Sequence, residues 1–123
     1  MLLGLHTLTD SAEFIVLVEG LYDYARQLQY GYPVVSSMHA NLTVYQAAIL
    51  ISLGLPVVVF YDNDLAGRDG TKIAVNRLID HVPVRRVLYP KNAAPGLDPG
   101  KVTRQQADKL IGKAQLCCLK TTI

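Results

Sequence analysis

Short runs of Val, Ile and Leu alternate along this chain with segments of helical period, and that alternation constrains the fold more than any other feature. Strands that are apolar at consecutive positions need cover on both faces, and such strands belong to parallel sheets whose crossovers are helices. Four such units follow one another. The first strand is expected at Phe14–Val18, and after Glu19-Gly20 the positions Leu21, Tyr24, Ala25 and Leu28 fall on one helical face. Gly31 ends that helix, and Pro33-Val34-Val35 is a short second strand. After a polar loop, Thr43 is the N-cap of a helix with Val44, Ala47, Ala48 and Ile51 inward. Val57–Tyr61 is apolar on both faces and reads as the middle of the sheet. Behind Asp62-Asn63-Asp64 come a helix over Ala66–Ile79 and a fourth strand at Arg85–Tyr89. A loop rich in Pro, Gly and Ala runs from Lys91 to Gly100, and Thr103 opens a last helix with Ala107, Leu110, Ile111 and Ala114 on its inner face. The expectation is a three-layer α/β fold of about four mostly parallel strands with helices on both faces. It forms a single domain over residues 1–115, with a carboxyl-terminal tail over 116–123.

Composition narrows the function classes. A chain of 123 residues has room for one core. With half its residues apolar and 18% charged, it is not a disordered chain, and it shows no repeat. The longest apolar stretch, Ala47–Phe60, is interrupted by Gly54 and Pro56 and is too short to span a bilayer, so no membrane partner is expected. The stretch Met1–His6 has no basic leader and no cleavage site, which points to the cytoplasm. Cys117 and Cys118 are adjacent, a spacing that suits neither a disulfide nor a zinc knuckle. A net charge of +2 is too small to hold nucleic acid by bulk electrostatics. A nucleic-acid role therefore needs a specific site.

The carboxylates supply a candidate for one. Of only two glutamates, Glu19 stands at the end of the first strand, where open parallel sheets place their ligand crevice. The third strand ends in Asp62-Asn63-Asp64. If strands one and three are neighbours, Glu19, Asp62 and Asp64 converge, with Asp23 one helical turn beyond. Carboxylates so gathered raise one another's pKa unless a cation sits among them, and oxygen ligands suit Mg²⁺ or Mn²⁺. An Asp-x-Asp alone is a weak signal among eight aspartates; two acidic motifs, each after an apolar strand and each followed by Gly and a helix start, are a stronger one. An EF-hand is excluded, because Ile73 stands where the bidentate Glu would be, and no phosphate-cradling glycine loop follows a strand.

Val18-Glu19-Gly20-Leu21-Tyr22-Asp23 and Asp62-Asn63-Asp64-Leu65-Ala66-Gly67-Arg68 resemble the two acidic motifs of the Toprim (topoisomerase-primase) family. Within it the pattern is most similar to bacterial and phage DNA primases. Ser37–Thr43 resembles the primase Ser-Leu-Gly-Thr-x-Leu-Thr segment, and Gly96-Leu97-Asp98-Pro99 its late Gly-Lys-Asp-Pro. The resemblance covers nearly the whole chain. It departs at Leu97, where the pattern has Lys, and at His39-Ala40, where it has Gly-Thr.

The resemblance implies a metal-dependent nucleotidyl-transfer core that makes RNA primers in DNA replication. It makes Glu19 a general acid/base or metal ligand, with Asp62 and Asp64 holding Mg²⁺ or Mn²⁺ and Asp98 as a further ligand. Gly20, Asp23 and Gly67 support the site, and Arg68 and Lys91 contact phosphate or nucleic acid. The implied partners are a single-stranded DNA template, ribonucleotides, and a replicative helicase or a separate primase half. No zinc-binding module and no basic amino-terminal half are visible in the sequence, so inactivity of the chain alone is expected. A small Toprim nuclease or RNA-maturation factor, and a non-catalytic binding module, are the alternatives. A topoisomerase is the least favoured, since its tyrosine nucleophile belongs to another domain.

Overall fold

The computed structural model describes residues 2–39 and 41–118; Met1, Ala40 of the second loop and residues 119–123, most of the expected tail, lie outside the described residues. In chain order the elements are β1 (Ile15–Val18), α1 (Leu21–Gln29), β2 (Val34–Ser36), α2 (Val44–Leu53), β3 (Val57–Val59), α3 (Leu65–Leu78), β4 (Val84–Arg86), α4 (Arg104–Gly112) and β5 (Gln115–Leu116). The sheet order is β2-β1-β3-β4-β5. The first four strands are parallel, as the long apolar runs require, and β5 is antiparallel to β4.

That fifth strand falls where the sequence pointed to the end of the domain and the start of a tail. After α4 the chain turns back along Arg85 and Arg86, and Cys117 N donates to Val84 O at 2.8 Å. The Arg86 guanidinium secures the pair with two hydrogen bonds to Gln115 Oε1. Two residues are too few for a strand period to show in a sequence.

Alternate strand residues fill two cores. Ile15, Leu17, Val57 and Val59 pack with Ala47 and Leu50 of α2 and with Ala74 and Leu78 of α3. Val16, Val18, Val58 and Phe60 pack on the other face with Tyr24 of α1 and with Ala107 and Ile111 of α4. Every residue of β1 is fully buried, which is why its run carries no polar alternation.

Two helices sit rotated from the faces that their apolar residues suggest. In α1 the buried positions are Asp23, Tyr24 and Gln27, while Leu21 is 57% exposed and Ala25 and Leu28 are also outward. The loop after Lys91 folds over this helix, and Gln27 Nε2 donates to Pro99 O at 2.8 Å. In α2 the buried positions are Gln46, Ala47 and Leu50, and Val44 is 60% exposed. Gln46 fixes that rotation: its Oε1 accepts from Thr43 N in a capping box, and its Nε2 donates to Ser37 O at 2.8 Å. In both helices a hydrogen-bonded polar side chain takes the inward position from an apolar one, though Gln27 Oε1 is buried without a partner.

The connectivity sets up the site. From β1 the chain passes through α1 to β2 on one side, then returns through α2 to β3 on the other side of β1. Helices therefore leave the carboxyl ends of β1 and β3 toward opposite faces, opening a crevice there. Among the described residues no helix is long and apolar enough to cross a membrane.

Phe60 is fully buried in the α1/α4 core, whereas Tyr45 is 84% exposed. Phe60→Ala is expected to cost about 3–5 kcal/mol in urea unfolding, and Tyr45→Ala less than about 0.5 kcal/mol. Equal losses would contradict the layering described.

Candidate metal centre

The β1–β3 ladder does not stop cleanly at the crevice. Phe60 N donates to Leu17 O at 2.8 Å, and the next parallel rung would join Asp62 N to Glu19 O. That carbonyl instead accepts from Ser36 Oγ at 2.8 Å, and Asp62 N donates to Glu19 Oε1 at 3.2 Å. A carboxylate has taken the place of a backbone carbonyl, which holds Glu19 beside Asp62.

Asp23 arrives on the first turn of α1. Its Oδ2 accepts from Gly20 N at 3.1 Å, closing the amino end of the helix. Its Oδ1 accepts from Gly100 N at 2.9 Å, and the same N–H is shared with Asp98 Oδ1 at 2.9 Å. A Cβ on Gly100 would lie 3.0 Å from Asp23 Oδ1 and 3.2 Å from Asp98 Oδ1, so a bare backbone amide is what fits between the two carboxylates. The loop that carries Asp98 is drawn to the crevice by Asn63, whose N–H donates to Leu97 O at 2.7 Å and whose carbonyl accepts from Gly96 N at 3.1 Å. Tyr89 ties the segment after β4 to the same edge by donating its hydroxyl to Tyr61 O at 2.6 Å.

The result is a cluster in which Asp23, Asp62 and Asp98 each present an oxygen within 4.8 Å of the others. Asp62 Oδ1 is buried and has no hydrogen-bond partner. Burial, reinforced by the charges of Glu19, Asp23, Asp98 and Asp64, pushes the Asp62 carboxyl up to about 7. Glu19 is raised by burial against the opposing pull of the Asp62 amide, with Asp64, Asp23 and Asp98 adding to the rise. Asp23 is raised by burial and by Asp98, against its hydrogen bonds from Gly20 and Gly100. Nearby Tyr61 is pushed up to about 12, chiefly by burial, and stays a neutral phenol.

Of the residues read from the sequence, the fold brings Glu19, Asp23, Asp62 and Asp98 to one edge. Asp64 stands apart from the convergent trio. It is exposed, and its Oδ1 caps α3 by accepting from Gly67 N at 2.6 Å, though its charge still acts on Glu19. Gly67 is buried against the Asp62 peptide. A Cβ there would collide with the Asp62 carbonyl oxygen and lie 2.9 Å from its nitrogen, so the first turn of α3 can rest on Asp62 only at a glycine. Gly20 contributes its amide to Asp23. Arg68 and Lys91 lie outside the carboxylate cluster and line a cavity of about 530 Å³ that Asp62 also borders.

Sequence reasoning passed over Gln27, Gly100 and Ser36, all of which position the acidic groups. Gln27 stands one turn after Asp23 on the same helical face, and that i,i+4 pair of polar residues in an amphipathic helix was the available signal. The donor set is entirely oxygen, partly buried and in excess of its hydrogen-bond donors, and it includes an orphaned carboxylate oxygen. Those properties fit a hard divalent cation such as Mg²⁺ or Mn²⁺.

The family model described as Toprim-like matches residues 16–111, which include all four of these carboxylates. The chain belongs to the Toprim-like family. It is similar to the DNA primase of Aquifex aeolicus (strain VF5), with 32% identity over 93 residues, covering 75% of this chain and 18% of that protein. It is also similar to the crystal structure of the zinc-binding and RNA polymerase domains of the Aquifex aeolicus primase, with a TM-score of 0.74 and 31% identity over 85% of this chain and 27% of that one. The primase fragment of the bacteriophage T7 primase-helicase protein shares the fold, with a TM-score of 0.62 and 24% identity over 91% of this chain and 47% of that one. The Toprim-like chain thus spans about a fifth of the curated relative that it matches.

The raised Asp62 pKa has a definite sign. The folded, metal-free state binds protons more tightly than the unfolded state between the ordinary value of 3.8 and about 7, so stability falls as pH rises through that window. In EDTA the melting temperature should therefore be lower at pH 8 than at pH 5, and Mg²⁺ should raise it most at pH 8. Asp62→Asn should flatten both effects; an identical Mg²⁺ response at the two pH values would contradict the cluster. Gly67→Ala should destabilise by about 1–3 kcal/mol through overpacking, read from the midpoint of urea unfolding.

Proposed function

We propose that this Toprim-like chain supplies the metal-dependent nucleotidyl-transfer core of a DNA primase. The observation that carries the reading is the convergence of Asp23, Asp62 and Asp98 around an unpartnered, buried carboxylate oxygen at the β1–β3 crevice. The similarity to a DNA primase over three-quarters of the chain supports it.

In this reading Asp62, Asp98 and Asp23 hold Mg²⁺ or Mn²⁺, with Asp64 free to add its second oxygen. The bound ion supplies charge neutralisation for the attacking and leaving oxygens of phosphoryl transfer. Glu19 is the general acid/base: half-buried and raised in pKa, it commits Oε1 to the Asp62 amide and keeps Oε2 for a proton. The Gly20 and Gly100 amides orient Asp23 and Asp98, and Gly67 lets α3 fix the Asp62 backbone. Arg68 and Lys91 meet phosphate groups beside the centre.

The proposed partners are a single-stranded DNA template and ribonucleotides, together with a separate primase half or a replicative helicase. A primase catalytic domain with the same fold has been described bound to single-stranded DNA, and the T7 protein is itself a primase-helicase. The setting is DNA replication in the cytoplasm.

The test is a Mn²⁺ titration followed by NMR line broadening, on the wild type and on Asp62→Asn. Broadening confined to Glu19, Asp23, Asp62 and Asp98, and abolished in the variant, is expected. The chain supplied with the zinc-binding and amino-terminal modules of a primase should then extend ribonucleotide primers on single-stranded DNA, and Asp62→Asn should reduce the rate by at least about a hundredfold. No selective broadening at millimolar Mn²⁺ would move the binding-module reading to the front. Metal-dependent cleavage of a structured nucleic acid, lost in Glu19→Gln, would favour a nuclease.

A further inference from the structure

A second cavity, also of about 530 Å³, is bordered by no acidic residue and lies between α4 and the segment that follows β4. Its floor is apolar. Leu88, Pro90, Ala93, Ala94 and Leu97 come from the segment, and Leu110 from the helix. Leu88 is 50% exposed although both of its neighbours are tied inward, Val87 by burial and Tyr89 by its hydrogen bond to Tyr61 O. Leu97 is the position at which this chain carries an apolar side chain in place of the Lys of the motif it resembles, and there it completes the floor.

Both walls are held before anything binds. Ala93 N donates to Pro90 O at 2.9 Å and Leu97 N to Ala94 O at 3.1 Å. Asn63 grips the same segment through its backbone bonds to Gly96 and Leu97 and through Nδ2 on Ala94 O. Opposite, α4 is seated by Ala107 and Ile111 in the core and capped by Thr103. A preformed apolar concavity spares a partner part of the ordering cost of association.

The rim is positive. Lys109 and Lys113 stand one turn apart at the carboxyl end of α4, beside Leu110. Both are exposed, and neither side chain is held by a carboxylate, since among the described residues the one ion pair is Lys101–Asp98. The only acid of α4, Asp108, accepts instead from the Tyr32 hydroxyl. Gln106 commits Oε1 to Thr103 N and leaves Nε2 as a further donor on the rim. A nucleic-acid strand fits this groove poorly: the lining holds no aromatic ring on which a base could stack, and its two cations sit at one helix end instead of tracking a backbone. Apolar side chains flanked by carboxylates match both the floor and the rim.

We propose that this groove docks a short acidic segment of a partner protein, which buries apolar side chains on Leu88, Leu97 and Leu110 and pairs its carboxylates with Lys109 and Lys113. The proposal goes beyond the nucleotidyl-transfer reading and does not rest on it.

The test selects random peptides of about sixteen residues, displayed on phage, against the folded wild-type chain, and follows the enriched peptides by amide chemical-shift mapping and fluorescence anisotropy. Enriched sequences should combine Leu, Ile, Met or Phe with Asp or Glu, and the shifts should be confined to residues 88–97 and 106–113. Affinity should fall about tenfold or more in Lys109→Glu/Lys113→Glu and in Leu88→Ser. The substituted side chains are exposed, and circular dichroism checks that both variants fold. Enriched peptides without acidic residues, shifts centred elsewhere, unchanged affinity in either variant, or no enrichment at all would overturn the proposal. So would shifts in this region caused by oligo-dT and by no peptide, which would give the groove to nucleic acid, or a dimer that protects these residues and binds no peptide, which would give it to a second copy of the chain.

Discussion

The structure depends on the parallel pairing of β1 with β3, and above all on how that pairing ends. Leu17 stands opposite Val59, and the ladder continues to Phe60 before it reaches Glu19 and Asp62. There the strands can no longer exchange backbone bonds, because the helices they feed leave toward opposite faces. Each broken rung leaves a donor or an acceptor that must be satisfied. The chain satisfies them with a Ser36 hydroxyl and a Glu19 carboxylate. An acidic side chain is thus built into the sheet as a substitute for a carbonyl, and Asp62 is fixed against it. The crevice is a consequence of topology; its charge is a consequence of how the crevice is closed.

Gathering four carboxylates there opposes folding. Burial and mutual repulsion both favour protonation, and the backbone amides of Gly20, Asp62 and Gly100 offset only part of that. The surrounding structure keeps the groups together through contacts that do not depend on their charge. Phe60 and Val18 pack beneath the edge, Gly67 lets α3 lie on Asp62, and Asn63 ties down the loop that carries Asp98. The two packed cores hold the carboxylates in place against their repulsion, and that rigidity fixes the geometry of the group.

Much of this was legible in the residues. The strands declared themselves because β1 and β3 are buried on both faces, and Glu19 and Asp62 were placed at strand ends by the simple fact that the apolar runs stop there. Thr43 and Thr103 both cap as their positions suggest. What stayed hidden depends on tertiary contact. The inner face of α1 could not be read from apolar spacing, because Asp23 and Gln27 are buried by a loop more than seventy residues away. Asp98 has no periodicity around it, and only its resemblance to a late primase motif singled it out. Asp64 reads in sequence like a partner of Asp62, yet its first commitment is to the amide of Gly67. An aspartate just before a helix has two possible uses, and spacing alone does not choose between them.

Asp62 stands where two differently charged walls meet. One wall is Glu19, Asp23 and Asp98; the other is Arg68, Lys72, Arg86 and Lys91. A lone acidic pocket would attract cations without distinguishing what they carry, and a lone basic pocket would take any anion of the right size. Set side by side, the two put fields of opposite sign on either side of Asp62. The β1–β3 crevice alone could not create that arrangement. It needs α3 to start immediately after Asp62, so that the residues one and two turns along the helix face the end of β4. The spacing from Asp62 through Gly67 to Arg68 and Lys72 therefore does two jobs: it seats the helix on the acidic residue, and it sets the cations beside it.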